Sequence, residues 1–407
     1  MPGAEKKDPK KTDDGNYEKE IISKFPNLEV AQMRYLVNHP ELDAATRTAT
    51  LEKLMAEIKT NDMAPYYKLL AEELKMPFDK ALYDQMKANN NQKLDAFDAE
   101  IADAEKNQGE SEVRAALLKK YDYFCQIGDK DNALKASQST FEKTVGTGYK
   151  IDLVFNIVRL GLFFLDHQMI NNNLTRAREL MEQGGDWERK NRLRSYEALY
   201  KMSVRDFSGA AALFLEAVPT FGSYELFTYE QLTFYAVVTS LYALDRPDLR
   251  TKVIKSNEIQ EQLSGDKVEL HIIREYLTSY YECNYEKFFQ NLAELESTRL
   301  KFDRYFHSHF NYYSRVMRLR AYLQFLTPYK TVRLDLMARD FGVSTEFLDK
   351  ELHRLVAAGQ LPCRIDAVQG VIHMHHPDSK DRLFKSVIKD GDILLNRVQK
   401  LARVINA

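Results

Sequence analysis

Two histidines separated by a single residue, His307 and His309, are the first place to look for chemistry in this 407-residue sequence. A His-x-His pair opens a zinc-hydrolase motif whose later positions supply an anionic ligand and a hydroxyl. Here those later positions hold Met317 and Arg320, and neither side chain can do that work. A cation does not replace an anionic zinc ligand, so His307-Ser308-His309 reads as a polar pair near a helix end. His373, His375 and His376 form a second group. Alternation along an extended strand puts His373 and His375 on one face, but two imidazoles without a third ligand make a weak metal site, and a solvated edge strand explains them as well. Gly184-Gly185-Asp186 invites a phosphate-loop reading, yet no Gly-Lys-Ser/Thr follows. A glycine helix end followed by an aspartate N-cap is the simpler account, with Trp187 as a packing anchor just inside the next helix. No nucleophile elbow, Cys-x-x-Cys pair or dinucleotide fingerprint is present. The carboxylates are interleaved with lysines and arginines, the ordinary pattern of solvated helix faces. The expectation is a protein that is not an enzyme and needs no cofactor or metal.

What, then, do the remaining residues build? Glycine (16) and proline (11) are scarce in a sequence rich in Leu, Ala, Glu and Lys, which favours helices over a turn-rich sheet. The length exceeds one ordinary core, so the chain is multi-domain or a repeat array. A repeat is visible. Helix-turn-helix breaks fall at Gly128, His167, Asp206, Asp245 and Asn284, each 39 residues from the last. An apolar or aromatic helix end precedes each break, as in Tyr123-Phe124-Cys125 and Phe163-Phe164-Leu165, and a second amphipathic helix follows. One such pair cannot bury its apolar face, whereas stacked pairs share a continuous core. The spacing exceeds the roughly 34 residues of tetratricopeptide repeats. The fold class expected is all-α: a right-handed superhelical, TPR-like helical-repeat solenoid. Residues 28–59 and 81–106 read as helices of an N-terminal cap, with a break at residues 61–65.

After Tyr329 the rhythm changes. Leu334 to Phe341 is a short helix, Gly342 a turn, and Ser344 caps a helix that stops at Gly359. The period then becomes two: residues 361–367 and 371–374 read as strands joined by Gln369-Gly370, which completes a winged helix. Its second helix carries Glu346, Asp349 and Glu351 against Lys350, Arg354 and His353. Reading DNA wants a basic face there, so protein docking suits the module better. At the end of the chain Ile388, Gly391, Leu395, Val398, Ala402 and Ile405 alternate three and four residues apart, and Leu394 and Leu401 widen the stripe. A helix so apolar on one side needs cover from its own chain or from neighbouring helices. An intermolecular bundle is the preferred reading.

The domains expected are a disordered tail at 1–25, a helical region at 26–110, TPR-like repeats at 111–310, a winged helix at 311–378 and a bundle helix at 379–407. Lys plus Arg (58) nearly balance Asp plus Glu (60), so the net charge of -2 draws the chain to neither nucleic acid nor lipid. The most apolar stretch, 151–165, is interrupted by Asp152 and Arg159 and falls short of a membrane span. Lys6, Lys7, Lys10 and Lys11 precede no apolar run, so the start is not a secretory signal. Cys125, Cys283 and Cys363 are odd in number and far apart, as expected of reduced thiols in cytoplasm or nucleus.

Helical repeats running into a winged helix and a terminal helix resemble the PCI family, with the PCI domain as a whole at about 210–378. Within it, residues 61–67 (NDMAPYY), 104–107 (AEKN) with 109–112 (GESE), 184–187 (GGDW) with 191–193 (NRL), 246–250 (RPDLR) and 394–406 (LLNRVQKLARVIN) are similar to the proteasome regulatory-particle lid branch numbered seventh among the non-ATPase subunits. The resemblance covers nearly everything from Leu28 onward. The first subunit of the signalosome is similar too, and shares the Gly-Asp-Trp region. What the resemblance implies is a scaffold in a horseshoe of PCI subunits, serving ubiquitin-dependent protein degradation. Its implied partners are the other lid PCI subunits, the lid deubiquitinase and the ATPase ring. The residues expected in the shared helix bundle are Ile388, Leu394, Leu395, Val398, Leu401, Ala402 and Ile405. A signalosome scaffold, or a free-standing winged-helix nucleic-acid or adaptor protein, remains the alternative.

Overall fold

The structure, a computed structural model, describes residues 25–107, 109–265, 268–374 and 379–405. The expected tail therefore lies outside the described residues, except for its last residue. Phe25 belongs to the fold instead: it packs against the apolar cluster of Tyr121, Phe124, Leu153 and Ile157, and its carbonyl takes a hydrogen bond from Arg159 Nη2 at 2.5 Å.

The chain divides into two compact units, one running to Ile273 and including Leu295–Phe310, the other made of Arg274–Glu294 and the chain from Asn311 onward. The first unit opens with α1 (Leu28–Asn38), α2 (Ala44–Thr60), α3 (Ala64–Leu74) and α4 (Lys80–Asn107). The single helix expected over 28–59 is thus two. Pro40 is the reason, because it cannot donate to a helical bond and restricts His39 before it to extended backbone. Residues 61–63 do form a break, but another helix, α3, begins directly after it.

The repeat follows as helix pairs: α5 (Glu110–Ile127) with α6 (Lys130–Glu142), α7 (Thr147–Phe164) with α8 (His167–Gly184), and α9 (Trp187–Ser203) with α10 (Phe207–Ala217). Then come α11 (Tyr229–Ala243), the short α12 (Arg246–Leu249) and α13 (Asn257–Leu263). Each helix from α5 to α11 packs on its neighbour in sequence. Three breaks in this unit share one local chemistry, and the one at Asp245 departs from it, Leu244 keeping φ of -87°. Gly128, Leu165 and Arg205 adopt left-handed backbone with φ of 73°, 55° and 71°. The next residue, Asp129, Asp166 or Asp206, caps the following helix by accepting from a backbone N–H at 3.2, 3.1 and 2.9 Å. Glycine is required at 128 for a second reason, since a Cβ there would stand 2.9 Å from Tyr66 Cβ. The centre of this unit is α7, whose residues from Ile151 to Phe163 are buried apart from half-buried Asp152.

The second unit takes most of α14 (Val268–Tyr281), then α15 (Tyr285–Leu295) and α16 (Phe310–Leu326). Its break has the same chemistry, with Cys283 at φ 64° and Asn284 capping α15 at 3.4 Å. The winged-helix elements follow: β1 (Thr331–Arg333), α17 (Leu334–Asp340), α18 (Thr345–Ala357), β2 (Cys363–Asp366) and β3 (Val371–Met374), and then α19 (Ser379–Ile405). As expected, Gly342 and Gly359 make the left-handed turns and Ser344 Oγ accepts from Phe347 N at 3.3 Å. The sheet is antiparallel in the order β1-β3-β2, with Ile372 between Val332 and Ile365. Phe341 is the hub of the aromatic core, its ring 4.7 Å from Tyr285, 5.0 Å from Tyr322 and 5.1 Å from Phe289. The fold is a helical-repeat solenoid followed by a winged-helix module, as the sequence led us to expect.

Candidate assembly surface

The terminal helix α19 stands apart from the rest of the second unit: every residue whose side chain is described on it is exposed. Its apolar side chains nevertheless keep strict order. Ile388, Gly391, Leu395, Val398 and Ala402 alternate by three and four, and Val387, Leu394 and Leu401 recur every seventh residue beside them. Leu394, Leu395, Val398 and Leu401 are 63, 57, 54 and 60 % exposed. Ile388 is 49 % exposed, and the side chain of Ile405 lies outside the described residues. The sequence reading missed three members of this surface. Phe384 sits four residues before Ile388 and extends the seam by one step, Val387 precedes Leu394 by seven, and Leu383 lies next to Phe384; all three are exposed. With the seam at heptad positions a and d, the second row falls at g, and three apolar positions in seven describe a helix inserted among several neighbours rather than one of a simple pair.

In the winged helix, β1 and β2 are the edge strands of the sheet among the described residues. The face of α18 carries exposed Glu346, Asp349, Lys350, His353 and Arg354. Glu351 is withdrawn into the unit, where it accepts from Arg318 Nε at 2.7 Å and the Tyr322 hydroxyl at 2.5 Å. The exposed face of α18 thus sets Glu346 and Asp349 against Lys350 and Arg354, balanced rather than basic. His373 is exposed and lies 3.3 Å from the Thr331 hydroxyl across the sheet, while His375 and His376 lie outside the described residues.

The other candidate residues have structural roles. His307 and His309 form a short turn before α16. His307 Nδ1 donates to the Lys301 carbonyl at 2.9 Å, and His309 Nε2 donates to that of Ser203 at 2.9 Å. Met317 is fully buried in α16. Gly185 and Asp186 sit at the end of α8 and the start of α9, but the Asp186 carboxylate pairs with Arg189 instead of capping backbone. Trp187 corrects an expectation. It is 69 % exposed and packs no core, because Arg189, two residues on, turns inward to hold Asp152 at 2.6 Å and Arg192 reaches Asp152 and the buried Glu225. Cys125 and Cys363 are buried, and burial pushes the thiol of Cys125 up to about 12 and that of Cys363 up to about 11, which favours the protonated form. Among the described residues no three His, Cys, Asp or Glu side chains gather as a metal would need, and no helix is long and apolar enough to cross a membrane.

Comparison with known families assigns these surfaces a context. The model described as 26S proteasome subunit RPN7 matches residues 79–252, the PCI domain matches 274–376, and the RPN7/PSMD6 C-terminal helix matches 385–405. The 26S proteasome non-ATPase regulatory subunit 6 of Caenorhabditis elegans is 66 % identical over 100 % of both chains. This chain belongs to the RPN7 family. Its yeast relative in Saccharomyces cerevisiae, 26S proteasome regulatory subunit RPN7, is 34 % identical over 97 % of both chains. COP9 signalosome complex subunit 1 of Arabidopsis thaliana is more distant, at 22 % identity over 89 % of this chain and 83 % of its own. The PCI match at 274–376 takes in α15, α16 and the winged-helix elements together with residues 295–310 of the first unit, and the helix matched at 385–405 lies within α19.

Proposed function

We propose that this chain is a non-catalytic scaffold subunit of the 26S proteasome regulatory-particle lid, and that it supports ubiquitin-dependent degradation by holding other subunits in place. The observation that carries the reading is α19: a 27-residue helix with an ordered apolar stripe and no cover from its own chain among the described residues. Ile388, Leu394, Leu395, Val398, Leu401, Ala402 and Ile405 face the terminal helices of neighbouring PCI subunits in a shared bundle. Burying one Leu or Val side chain contributes about 1.5–3 kcal/mol. Leu394, Leu395, Val398 and Leu401 together therefore supply on the order of 6–12 kcal/mol before the cost of association. The edge strands β1 and β2 pair with the winged helices of adjacent subunits. The lid deubiquitinase and the ATPase ring are the further partners, in cytoplasm and nucleus.

Size fractionation of a cell lysate containing the tagged full-length chain tests the reading. The chain should travel with particles far larger than itself that cleave ubiquitin chains. The purified chain alone should turn over neither ubiquitin chains nor ATP. Migration as a lone chain, or turnover that survives repurification, contradicts it.

A further inference from the structure

We propose that His39 is an acid-sensitive clasp for the N-terminal helix α1: its neutral imidazole holds the helix on the first unit, and protonation of that ring releases it.

Helix α1 packs into the first unit through buried Leu28, Val30, Ala31 and Val37, and Arg34 pairs with Glu73 on α3 at 2.5 Å. Gln32 bridges backbone on both sides, its amide donating to the Phe302 carbonyl at 2.6 Å and its oxygen accepting from Arg304 N at 3.2 Å. The Tyr35 hydroxyl donates to the Lys301 carbonyl at 3.0 Å. His39 closes the helix. Its ring is buried and walled by three others, standing edge-on to His307 at 5.1 Å, to Phe302 at 5.2 Å and to Tyr35 at 5.8 Å.

Hydrogen bonding fixes the protonation state. His39 Nδ1 accepts from the backbone N–H of Glu41 at 3.3 Å, so it carries no hydrogen. His307 Nδ1 faces a carbonyl, which only accepts, and so carries one. Adding a proton to His39 sets one N–H against another and leaves a cation in the ring cluster. The charged groups facing it are unfavourable. From the 301–307 segment come the Lys301 ammonium and His307. From α2 comes Arg47, whose guanidinium is bonded to the His39 carbonyl at 2.6 Å. On α1 itself the Tyr35 ring stands against it, with a hydroxyl that burial and Asp303 keep protonated. The one carboxylate, Glu41, is exposed and tied to Lys301 Nζ at 3.2 Å. The C-terminal end of α1 favours a cation, but burial, then His307, outweighs it, and the His39 pKa is held below its usual value.

A released His39 takes its proton near its ordinary value of about 6.5, whereas the clasped ring takes it lower. Release therefore binds a proton: the clasp is fully present above about 6.5 and is lost as pH falls through the clasped value. Between pH 7.5 and 5.5 the opening equilibrium of α1 should rise by up to about ten-fold.

Hydrogen exchange of the full-length chain, corrected for intrinsic rates, reads this directly. The amides of Leu28–Asn38 should exchange up to about ten-fold faster at pH 5.5 than at 7.5, while those of α7 hold steady. His39→Gln should flatten that response. Glu41→Gln, an exposed substitution that leaves the backbone bond to His39 in place, removes the one carboxylate that favours the protonated clasped ring, so the rise in opening between pH 7.5 and 5.5 should grow toward the limit of about ten-fold. A pH-independent α1, a response that survives His39→Gln, or a smaller acid response in Glu41→Gln overturns the proposal.

Discussion

The pair Arg192 and Glu225 offers the sharpest test of what holds the repeats together. Arg192 on α9 and Glu225 before α11 are both buried, with side chains only 6 and 2 % exposed. Glu225 Oε1 accepts from Arg192 Nε at 3.0 Å, from Nη2 at 2.9 Å and from the Tyr196 hydroxyl at 3.2 Å. A second arm of Arg192 reaches Asp152 on α7 at 3.1 Å, so α7, α9 and the segment before α11 meet in one guanidinium. At an effective dielectric of about 20, unit charges about 3 Å apart attract by roughly 5–6 kcal/mol, much of it offset by desolvation of both groups. Arg192→Met removes the attraction but leaves the carboxylate buried, which costs about 3–5 kcal/mol. Adding Glu225→Leu removes the stranded charge as well, and the double variant should regain most of that loss. Urea unfolding of the full-length chain, followed by circular dichroism for the wild type, both single variants and the double variant, closes the cycle. A loss below about 1 kcal/mol for Arg192→Met, or a double variant worse than either single, refutes the idea that this ion pair locks the array.

Two further outcomes follow from the same physics. Cys125 and Cys363, with thiols pushed up to about 12 and about 11, should react with a thiol reagent at pH 8 at least about a hundred-fold more slowly than a free thiol, and mass mapping after timed labelling checks this. The winged helix should bind random duplex DNA no more tightly than micromolar at physiological salt; tighter binding that is lost on substituting Lys350 and Arg354 contradicts the protein-docking assignment.

The repeat was legible because four of the five breaks use a left-handed residue followed by an Asp or Asn cap, and those side-chain requirements recur along the chain at Asp129, Asp166, Asp206 and Asn284. The winged helix was legible for a similar reason, with Gly342, Ser344 and Gly359 each doing one backbone task. β1 was missed because three residues, Thr331-Val332-Arg333, are too few for alternation to register; only pairing with β3 makes them a strand. Trp187 misled because its type argues for burial, and nothing local reports that Arg189 and Arg192 turn inward beside it. The apolar stripe on α19 was legible in its C-terminal half, where Leu395 and Val398 hold neighbouring a and d positions. It was cut short at its start, where Phe384 and Val387 lie among Lys385, Ser386 and Lys389.

The central claim is that α19 assembles the chain into a larger particle while adding little to the fold of the repeats. Leu395→Asp with Val398→Asp puts two charges into the proposed bundle core, each expected to cost on the order of several kcal/mol if buried without a partner. Both positions are more than half exposed in the free chain, and repeat arrays are stabilised by nearest-neighbour contacts. Recovery of the double variant in the large complex, measured beside circular-dichroism melting of the isolated full-length chain, gives the answer. The account predicts lost incorporation with an unchanged helical melt; normal incorporation, or a collapsed melt, contradicts it.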